Sequence, residues 1–380
     1  TTALHLSSTS NTWSGALGTV LASVGDEQGS FVSDGETEAA LYYYNLILAS
    51  TTDNVTDGYN TDWYLEGFTK EATDSEGHHT TVVRNLGGIT GSNYLLWRSD
   101  MDTLFRRLGE TDNSLTENTD DGIWVRAKGK KFSRVSDFLV DTKYNEYEVG
   151  YDWLHDKTDK NGHVAGVGIA YLDGDSTYVS GKGDLTGYTL GLYDTTVWKD
   201  GQYLDLVLKG SRYKNEFGYR ALGRYIDGKS DSTGLSLGAE YGYKRKTKSG
   251  WYVEPQAQFV LGYFRNNDFT DSNGVHVDNE TIRTAIGRIG MRAGYEDKKL
   301  SAYAKANWYH DFGGNHVTTM SVDTDSLRVQ EDYGDTWFAY GLGAAYKMND
   351  KAQLYFDLER GDGSAYDENW SWDVGVKFSF

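Results

Sequence analysis

The chain contains no cysteine and only one proline among its 380 residues. The lack of cysteine excludes a disulfide framework, a cysteine-based zinc site and thiol catalysis. Proline is nearly absent although glycine contributes 45 residues, whereas loop-rich and disordered chains are usually rich in both. Because Tyr, Trp and Phe make up 14% of the chain, the composition favours long, aromatic-rich strands over disorder.

Positive charge and long apolar runs are also scarce. Lys and Arg number 37 against 56 Asp and Glu, a formal net charge of −19, so we do not expect a nucleic-acid partner. No run of about 18 apolar residues occurs, and no transmembrane helix is predicted. A transmembrane β-barrel escapes this test because only half of each strand is apolar. No signal peptide opens the chain, so we interpret Thr1 as a mature N-terminus or a cut within a longer protein.

Twelve segments of alternating polarity follow one another from Gly122 to the C-terminus. In the last segment every second residue is apolar, namely Trp370, Trp372, Val374, Val376, Phe378 and Phe380. A period of two places such residues on one face of a strand and the polar residues on the other. The predicted strands cover residues 122–133, 140–154, 162–173, 183–198, 201–216, 231–247, 249–265, 280–296, 299–313, 329–347, 350–360 and 369–380.

The links between these segments distinguish a membrane barrel from a soluble sandwich. Links after even-numbered segments are short, whereas most others are longer and polar, the longest being 218–230, 266–279 and 314–328. Short turns at one rim and long loops at the other are typical of outer-membrane barrels. We therefore predict an all-β fold, with a twelve-stranded antiparallel transmembrane β-barrel over residues 121–380. Pro255 falls inside the seventh strand, where we expect a bulge or a missing ladder bond.

The polar faces of the predicted strands would line the barrel lumen. The charged residues on those faces include Arg126, Lys128, Glu146, Glu148, Asp152, Asp205, Lys209, Glu240, Lys244, Glu254, Arg288, Arg292, Lys305, Asp357, Glu359 and Asp373. Both signs of charge are present. Such a lumen can therefore offer partners to the charged side chains of a segment that enters it.

Residues 1–85 differ from the barrel in composition. They contain twelve Asp and Glu but only Lys70 and Arg84 as basic residues, and they are rich in Ser, Thr and Gly. The short apolar strands in this region cannot build a large core alone. We therefore predict the end of a longer β-structure, such as the terminus of a β-solenoid.

A helix is predicted over residues 92–108, within a linker at 86–120. The apolar residues there are spaced by three and four positions, namely Tyr94, Trp97, Met101, Leu104 and Leu108. Ser92 or Asn93 can cap its start and Gly109 its end. Its ~25 Å length about matches the apolar band of a barrel, so we predict a pore helix. Its charges, Arg98, Arg106 and Arg107 with the neighbouring aspartates, would then meet lumen partners. The alternative is a periplasmic helix packed elsewhere.

Several motifs resemble the autotransporter β-domain of type V secretion, the pertactin-like class. They are GIWVRAKG at 122–129, GYD at 150–152, GYTLGLY at 187–193, DGQYLD at 200–205, 233–240 and WYVEPQAQ at 251–258. Residues 44–50 and 62–68 more weakly resemble the autochaperone end of passengers. Phe378 and Phe380 belong to a terminal VKFSF that resembles the signal read by barrel assembly machinery.

This resemblance implies a barrel that carries its own N-terminal passenger to the cell surface and anchors it in the outer membrane, without nucleotide or cofactor. Residues 1–85 would then lie on the cell surface, and the passenger would serve adhesion, virulence or another surface activity. The implied partners are outer-membrane lipid, barrel assembly machinery, periplasmic chaperones and the passenger, and we expect a monomer. Self-cleaving members carry an Asn-Asn pair or similar in the pore helix, whereas this chain reads Ser92-Asn93-Tyr94. We therefore expect the passenger to stay attached.

Two other functions stay open, a plugged or open porin and an outer-membrane hydrolase. His310 and Asp311 are adjacent on a strand, so their side chains point to opposite faces and do not readily form one site. His78, His79, His276 and His316 lack a set of further ligands at metal-binding spacing. The stretch 271–274 resembles a turn rather than a full calcium loop. We accordingly predict no enzyme, no catalytic residue and no metal site.

Overall fold

The computed structural model describes residues 2–4, 20–24, 31–33, 36–52, 61–70, 78–100, 121–158 and 160–380. The strands before the helix are β1 (Thr2–Leu4), β2 (Val20–Val24), β3 (Phe31–Ser33), β4 (Glu36–Glu38), β5 (Tyr43–Thr52) and β6 (Thr61–Lys70). Strand β1 pairs in parallel with β3, and the order β2-β6-β5-β4 forms a four-stranded sheet. We call this second sheet the upstream sheet. Helix α1 follows it at Thr81–Ser99.

Antiparallel strands then close into a barrel of twelve, as predicted. They are β7 (Gly122–Arg134), β8 (Val140–Lys157), β9 (Asn161–Thr177), β10 (Gly181–Trp198), β11 (Gln202–Ala221), β12 (Arg224–Tyr243), β14 (Trp251–Asn266), β17 (Ile282–Glu296), β18 (Leu300–Asp311), β21 (Thr336–Asn349), β22 (Ala352–Gly363) and β23 (Tyr366–Ser379). The last strand pairs with the first, which leaves no open edge. The short β13 (Arg245–Lys246) continues the line of β12.

Alternating side chains divide the barrel wall into an apolar outside and a polar inside. Along β14, for example, Val253, Phe259 and Leu261 are exposed, whereas Glu254, Gln256 and Gln258 on the other face are buried. The same alternation leaves large apolar side chains exposed around most of the barrel. Exposed apolar residues of this density belong in lipid, because water would penalise so large an apolar surface.

The two longest predicted loops fold into a small sheet above the barrel. Its strands are β15 (Phe269–Thr270), β16 (His276–Asn279), β19 (Asn315–Val322) and β20 (Asp325–Asp332). We call it the rim sheet. The strand predicted at 329–347 is therefore divided, since its first residues belong to β20 and the barrel strand β21 begins at Thr336.

The loop predicted at 218–230 is wrong. Strands β11 and β12 stay paired out to Ala221 and Arg224, and Leu222 and Gly223 make the turn with positive φ values of 52° and 69°. The hairpin continues beyond the apolar belt with charged residues on its outer face, so its sequence resembles a polar loop. Pro255 fits the expectation made for it, because the pairing of β14 stops at Gln256 and resumes with β13 at Val253.

Helix α1 corrects the predicted position of the pore helix. It begins at Thr81 rather than residue 92 and ends at Ser99, and the predicted domain boundary at residue 85 falls inside it. Thr80, not Ser92 or Asn93, caps the N-terminus, and its Oγ1 accepts from the Val83 amide at 3.3 Å. Met101, Leu104, Arg106, Arg107 and Leu108 lie outside the described residues. None of the described helical sequence is long and apolar enough to cross a membrane.

Candidate functional site: the helix inside the barrel

Every face of α1 is covered by the barrel. All of its 19 residues except Thr81 and Arg84 are buried. Three glycines in its first half let bulky wall residues approach the backbone closely. A Cβ at Gly87 would lie closer than 3.0 Å to the Phe138 ring, and one at Gly91 would collide with the Tyr333 hydroxyl. Glycine lowers helix propensity by about 1 kcal/mol, so these positions favour close packing over intrinsic helix stability.

Asn93 lies at the centre of a buried polar cluster. Its Nδ2 donates to Ser230 Oγ at 3.0 Å and to Asn266 Oδ1 at 3.1 Å. Its Oδ1 accepts from Asn215 Nδ2 at 3.0 Å. The neighbouring Ser92 hydroxyl lies 3.1 Å from Tyr178 Oη. Because the Asn93 amide is satisfied on both sides, the cluster fixes the helix in depth and in rotation.

Tyr94 and Arg98 attach the same helix to the outer end of β18. Tyr94 Oη donates to Asp311 Oδ2 at 2.9 Å, and Arg98 Nη1 lies 3.4 Å from the same oxygen. Arg98 also donates to the Tyr333 carbonyl at 2.7 Å. Its guanidinium packs over the rings of Trp337 and Tyr366, 4.9 and 4.6 Å from their centroids. A guanidinium held by both a carboxylate and aromatic faces is a strong buried anchor.

Lysines of the barrel wall surround the C-terminal end of the helix. Lys209 Nζ lies 2.6 Å from Asp100 Oδ2 and 3.0 Å from the Asp100 carbonyl, and Lys128 also pairs with Asp100. Lys130 donates to the Ser99 carbonyl at 3.0 Å. Cations here complement both Asp100 and the negative end of the helix dipole. Arg98 and Asp100 therefore both have charged partners on the lumen wall.

The predicted lumen charges are buried, apart from the half-buried Lys244 and Lys305, and most of them pair along the wall. Lys128 and Lys209 reach the helix, whereas Glu146 lies 2.9 Å from Lys128. The other pairs join neighbouring or nearby strands: Arg126 with Glu148, Arg288 with Glu240 (3.1 Å), Arg292 with Glu254 (2.9 Å), Lys305 with Asp357 (2.5 Å) and Glu359 (2.9 Å), Lys377 with Asp152 (2.6 Å), and Thr195 with Asp205 (2.6 Å).

A small cavity lies beside the described helix. The cavity that Trp97, Asp100 and Lys209 line together with Gln258 and Val260 measures about 30 Å³. This volume holds a water molecule or two but no larger solute. Trp97 fills much of the space, because Gly234 and Gly262 leave room for its indole against the wall.

Two clusters bring potential metal ligands together. The ligand atoms of Asp100, Glu146 and Glu148 lie within 4.8 Å of one another, but lysine ammonium groups already occupy that cluster. On the outer wall near the short-turn rim, the ligand atoms of His155, His163 and Asp194 also lie within 4.8 Å of one another. This group has the ligands and spacing to hold a divalent cation. Their ligands come from three strands, so only the strand register could have revealed this group.

The remaining candidates from the sequence are separated. Asp311 is buried against α1, whereas His310 Nδ1 lies 2.6 Å from Thr336 Oγ1 and its ring contacts Phe312 on the outside. The two therefore lie on opposite faces, as predicted. Phe378 and Phe380 are 49% and 56% exposed at the short-turn rim. Sequence reasoning missed Thr80, Asn215 and Asn266 as helix contacts, since nothing in a strand pattern marks a residue that faces a helix.

A closed barrel with an apolar outer wall, a charged lumen and a helix of its own chain inside defines a self-plugged outer-membrane barrel. The family model of the autotransporter β-domain matches residues 123–359, and the chain belongs to this family. Members of the family are outer-membrane proteins, so this is also the location of the chain.

Curated relatives match mainly over the barrel. The pertactin autotransporter of Bordetella parapertussis is 26% identical over 306 residues, 78% of this chain and 32% of the relative. The uncharacterised YaiT of Escherichia coli is 28% identical over 302 residues, 77% of this chain and 30% of the relative. Serine protease EspP of E. coli O157:H7 is 23% identical over 326 residues, 84% of this chain and 24% of the relative. The chain thus spans about a third or less of these relatives.

Solved structures share the fold. The β-domain of the Bordetella autotransporter BrkA superposes with a TM-score of 0.59 and 23% identity, covering 69% of this chain and 100% of that one. The translocator domain of NalP from Neisseria meningitidis gives a TM-score of 0.59 with 17% identity, over 77% of this chain and 99% of that one.

Proposed function

We propose that the chain is a translocation unit that exports its own N-terminal passenger through the outer membrane and then anchors it at the cell surface. The observation that carries this proposal is the path of the chain through the barrel. Helix α1 enters from the long-loop rim, its C-terminal end meets Lys128 and Lys209 on the wall, and Asp121 lies at the opposite rim beside Phe380. This path, with the chain still threaded through its own barrel, is the one expected after the N-terminal part has been exported.

The upstream sheet rests on the rim sheet, at the side from which α1 enters. Tyr42 Oη donates to the Ser326 carbonyl at 2.5 Å, and Tyr44 Oη donates to Asp325 Oδ2 at 2.8 Å. Lys70 Nζ lies 2.7 Å from Asp325 Oδ1. Thr80 Oγ1 donates to the Ala40 carbonyl at 2.7 Å and so joins the helix cap to the same sheet. These contacts support an external position for the upstream sheet and a role as the folded end of the passenger.

The buried position of Asn93 supports lasting attachment of the passenger. In self-cleaving relatives an asparagine side chain attacks its own backbone. Both acceptors of Asn93 Nδ2 come from the barrel wall, and its Oδ1 is held by Asn215. Because both of its hydrogens are held by the wall, this nitrogen must break two hydrogen bonds before it can attack its own backbone carbonyl. We therefore expect a single full-length band in outer-membrane fractions, and a shorter barrel band would contradict this part of the proposal.

Surface exposure of the N-terminus tests the main proposal. A signal peptide and an epitope tag are fused before Thr1, the chain is produced in a Gram-negative host, and protease is added to intact cells. We expect loss of the tag while the barrel persists. As a matched control, the same tag inserted at the short turn of Lys199 and Asp200 should stay protected until the outer membrane is opened. Protection of the N-terminal tag in intact cells would favour the porin alternative with a periplasmic N-terminal region.

Assembly into the membrane is proposed to use the terminal aromatic residues. Phe378 and Phe380 face outward on the closing strand, and the Phe380 amide donates to the Asp121 carbonyl at 3.0 Å. Replacing Phe380 with Ser should reduce the yield of folded barrel, measured as the heat-modifiable band on gels. We also propose that the chain itself performs no catalysis, because His310 and Asp311 lie on opposite faces of β18.

A further inference from the structure

The apolar belt on the outer wall has a gap at Gly210. Strand register places Gly210 between Leu190 on β10 and Leu235 on β12, each of them 52% exposed. A Cβ at Gly210 would meet nothing within 4 Å. The gap lies in a groove of about 850 Å³ whose walls include Ile169, Tyr171 and Tyr188. The groove is thus an apolar slot in the part of the barrel that faces lipid.

Arg212 borders this groove on the side of the long-loop rim, and Arg265 lies two strands away on the same outer face. Arg212 is the next outward residue after Gly210 on β11, and it pairs across to Thr233 on β12. Thr233 in turn pairs with Arg265 on β14, so the two arginines flank it on the same face. At about 4.8 Å per strand, their backbones lie ~10 Å apart, which long side chains can bridge.

The protein itself offers few carboxylate partners to these guanidinium groups. Arg212 has only Asp231, at 3.9 Å and on the exposed surface. Within the part of the chain that the structure describes, no carboxylate lies within 4.0 Å of Arg265, nor of Arg283, which lies outward on β17 opposite Tyr263. Such a set of exposed arginines is notable in a chain with a net charge of −19.

We propose that this surface binds a phosphorylated lipid of the surrounding leaflet, with its phosphate on Arg212 and Arg265 and an acyl chain in the groove at Gly210. A guanidinium recognises phosphate oxygens through two parallel hydrogen bonds. The slot below is apolar and lipid-facing, so the ligand carries its phosphate at the head of a hydrocarbon chain. A free phosphate ion would use the arginines but have no use for the groove. The inference rests on the outer-membrane location, not on passenger export.

Binding is tested with the full chain in micelles of a maltoside detergent, which carries no phosphate, and a fluorescent diphosphorylated lipid A as the probe. The double variant Arg212→Gln, Arg265→Gln should weaken binding about ten-fold or more, because each charge-assisted hydrogen bond is strong. Gly210→Leu, which fills the gap and keeps both arginines, should also weaken it several-fold. Lys143→Gln removes an exposed outward lysine that is paired with Asp175 at 3.5 Å, and should leave binding unchanged.

The outcomes separate the sources of phosphate. Lipid A without its phosphates should bind the unmodified chain weakly. Its affinity should be no higher than the affinity of the double arginine variant for the phosphorylated probe. Unchanged binding by the double arginine variant, or by Gly210→Leu, would overturn the proposal. Competition by inorganic phosphate as effective as that by unlabelled lipid A would also overturn it, because the site would then be a free-anion site. Heat-modifiable migration on gels establishes that each variant is folded.

Discussion

At the scale of single residues, glycines decide how closely the helix and the wall approach. Gly234 and Gly262 lie on neighbouring barrel strands, and both face the indole of Trp97. A side chain at Gly262 would collide with that ring and with Thr284. The wall therefore offers Trp97 a recess that no other residue type would leave open. The depth at which α1 lies depends on this recess as much as on its hydrogen bonds.

The replacement Gly262→Ala should displace Trp97 and destabilise the plugged barrel by about 1–3 kcal/mol, the usual cost of overpacking a core. Thermal unfolding in detergent micelles measures the loss. Gly191→Ala is the matched control, because its Cβ would find its nearest neighbour, Lys209 Cγ, at an ordinary 3.8 Å. Equal melting temperatures for the two variants would show that Trp97 does not depend on the recess.

Asp311 is the acceptor that both Tyr94 and Arg98 share. Asp311→Ala should destabilise the plugged state by about 3–5 kcal/mol, since it leaves a buried guanidinium without its carboxylate. Glu280→Ala is the control, because its pair with Arg328 at 3.6 Å is exposed and worth at most about 1 kcal/mol. Protease digestion of the helix region in detergent measures the effect. A digestion rate as low for Asp311→Ala as for the control would argue against an anchoring role.

At the scale of elements, the sequence pattern predicts the barrel better than the helix. Every barrel strand shows a period of two, because one side faces lipid and the other faces a charged lumen. The outer part of the hairpin at β11 and β12 keeps the alternation but reverses it, since beyond the belt the outward residues are mostly charged and the inward residues, such as Phe217, Tyr219 and Ile226, are buried and apolar. Residues 81–91 of α1 read Thr-Val-Val-Arg-Asn-Leu-Gly-Gly-Ile-Thr-Gly, which resembles a turn-rich strand.

The predicted helix position is wrong because helical periodicity requires one wet face and one dry face. Residues 81–99 are almost entirely buried, so their sequence has no contrast of this kind. Their glycines, which normally signal a turn, are explained by the rings of Phe138, Tyr178 and Tyr333 that pack against them. Partners such as Asn215 and Asn266 could not be foreseen either, because they depend on the depth at which the helix is inserted.

The rim sheet contains a histidine that makes its stability depend on pH. Burial of His316, 2% exposed, lowers the pKa of its imidazole to about 4 from an ordinary value of 6.5. Between these values the unfolded sheet binds a proton that the folded sheet excludes. The contribution of His316 is therefore fully present above pH 6.5 and is lost as the pH falls towards 4. Opposite it, burial raises the pKa of Glu331, whose contribution is present at low pH and is lost as the pH rises.

Replacing His316 with Gln should remove the part of the pH dependence that His316 causes, on the order of 2–3 kcal/mol between pH 6.5 and 4. Hydrogen exchange of β19 and β20 amides across this range measures it. His276→Gln is the control, because His276 is exposed on β16 of the same sheet. A slope in His316→Gln as steep as in the unmodified chain would mean that another group controls the sheet.

At the scale of the whole molecule, we propose that the barrel and its helix form one unit that closes the pore. The N-terminal half of α1 packs against Phe138, the outer end of β11 and the rim sheet, and its C-terminal half is held by Asp311, Lys128 and Lys209. Because these contacts come from both ends and from opposite sides of the lumen, the helix cannot leave without breaking several buried charge pairs. An ordinary porin would carry no such arrangement.

Planar-bilayer conductance distinguishes a barrel closed by α1 from an ordinary porin. Removal of residues 1–120, which includes α1, should raise single-channel conductance several-fold, because the lumen then contains only wall side chains and water. Removal of residues 1–77 is the matched control. It deletes the upstream sheet but keeps Thr80 as the helix cap, so conductance should stay low. Equal conductance in both truncations would mean that α1 does not close the pore. A rise already in the shorter truncation would instead assign closure to the upstream sheet, which contacts Ser326 and Asp325 of the rim sheet.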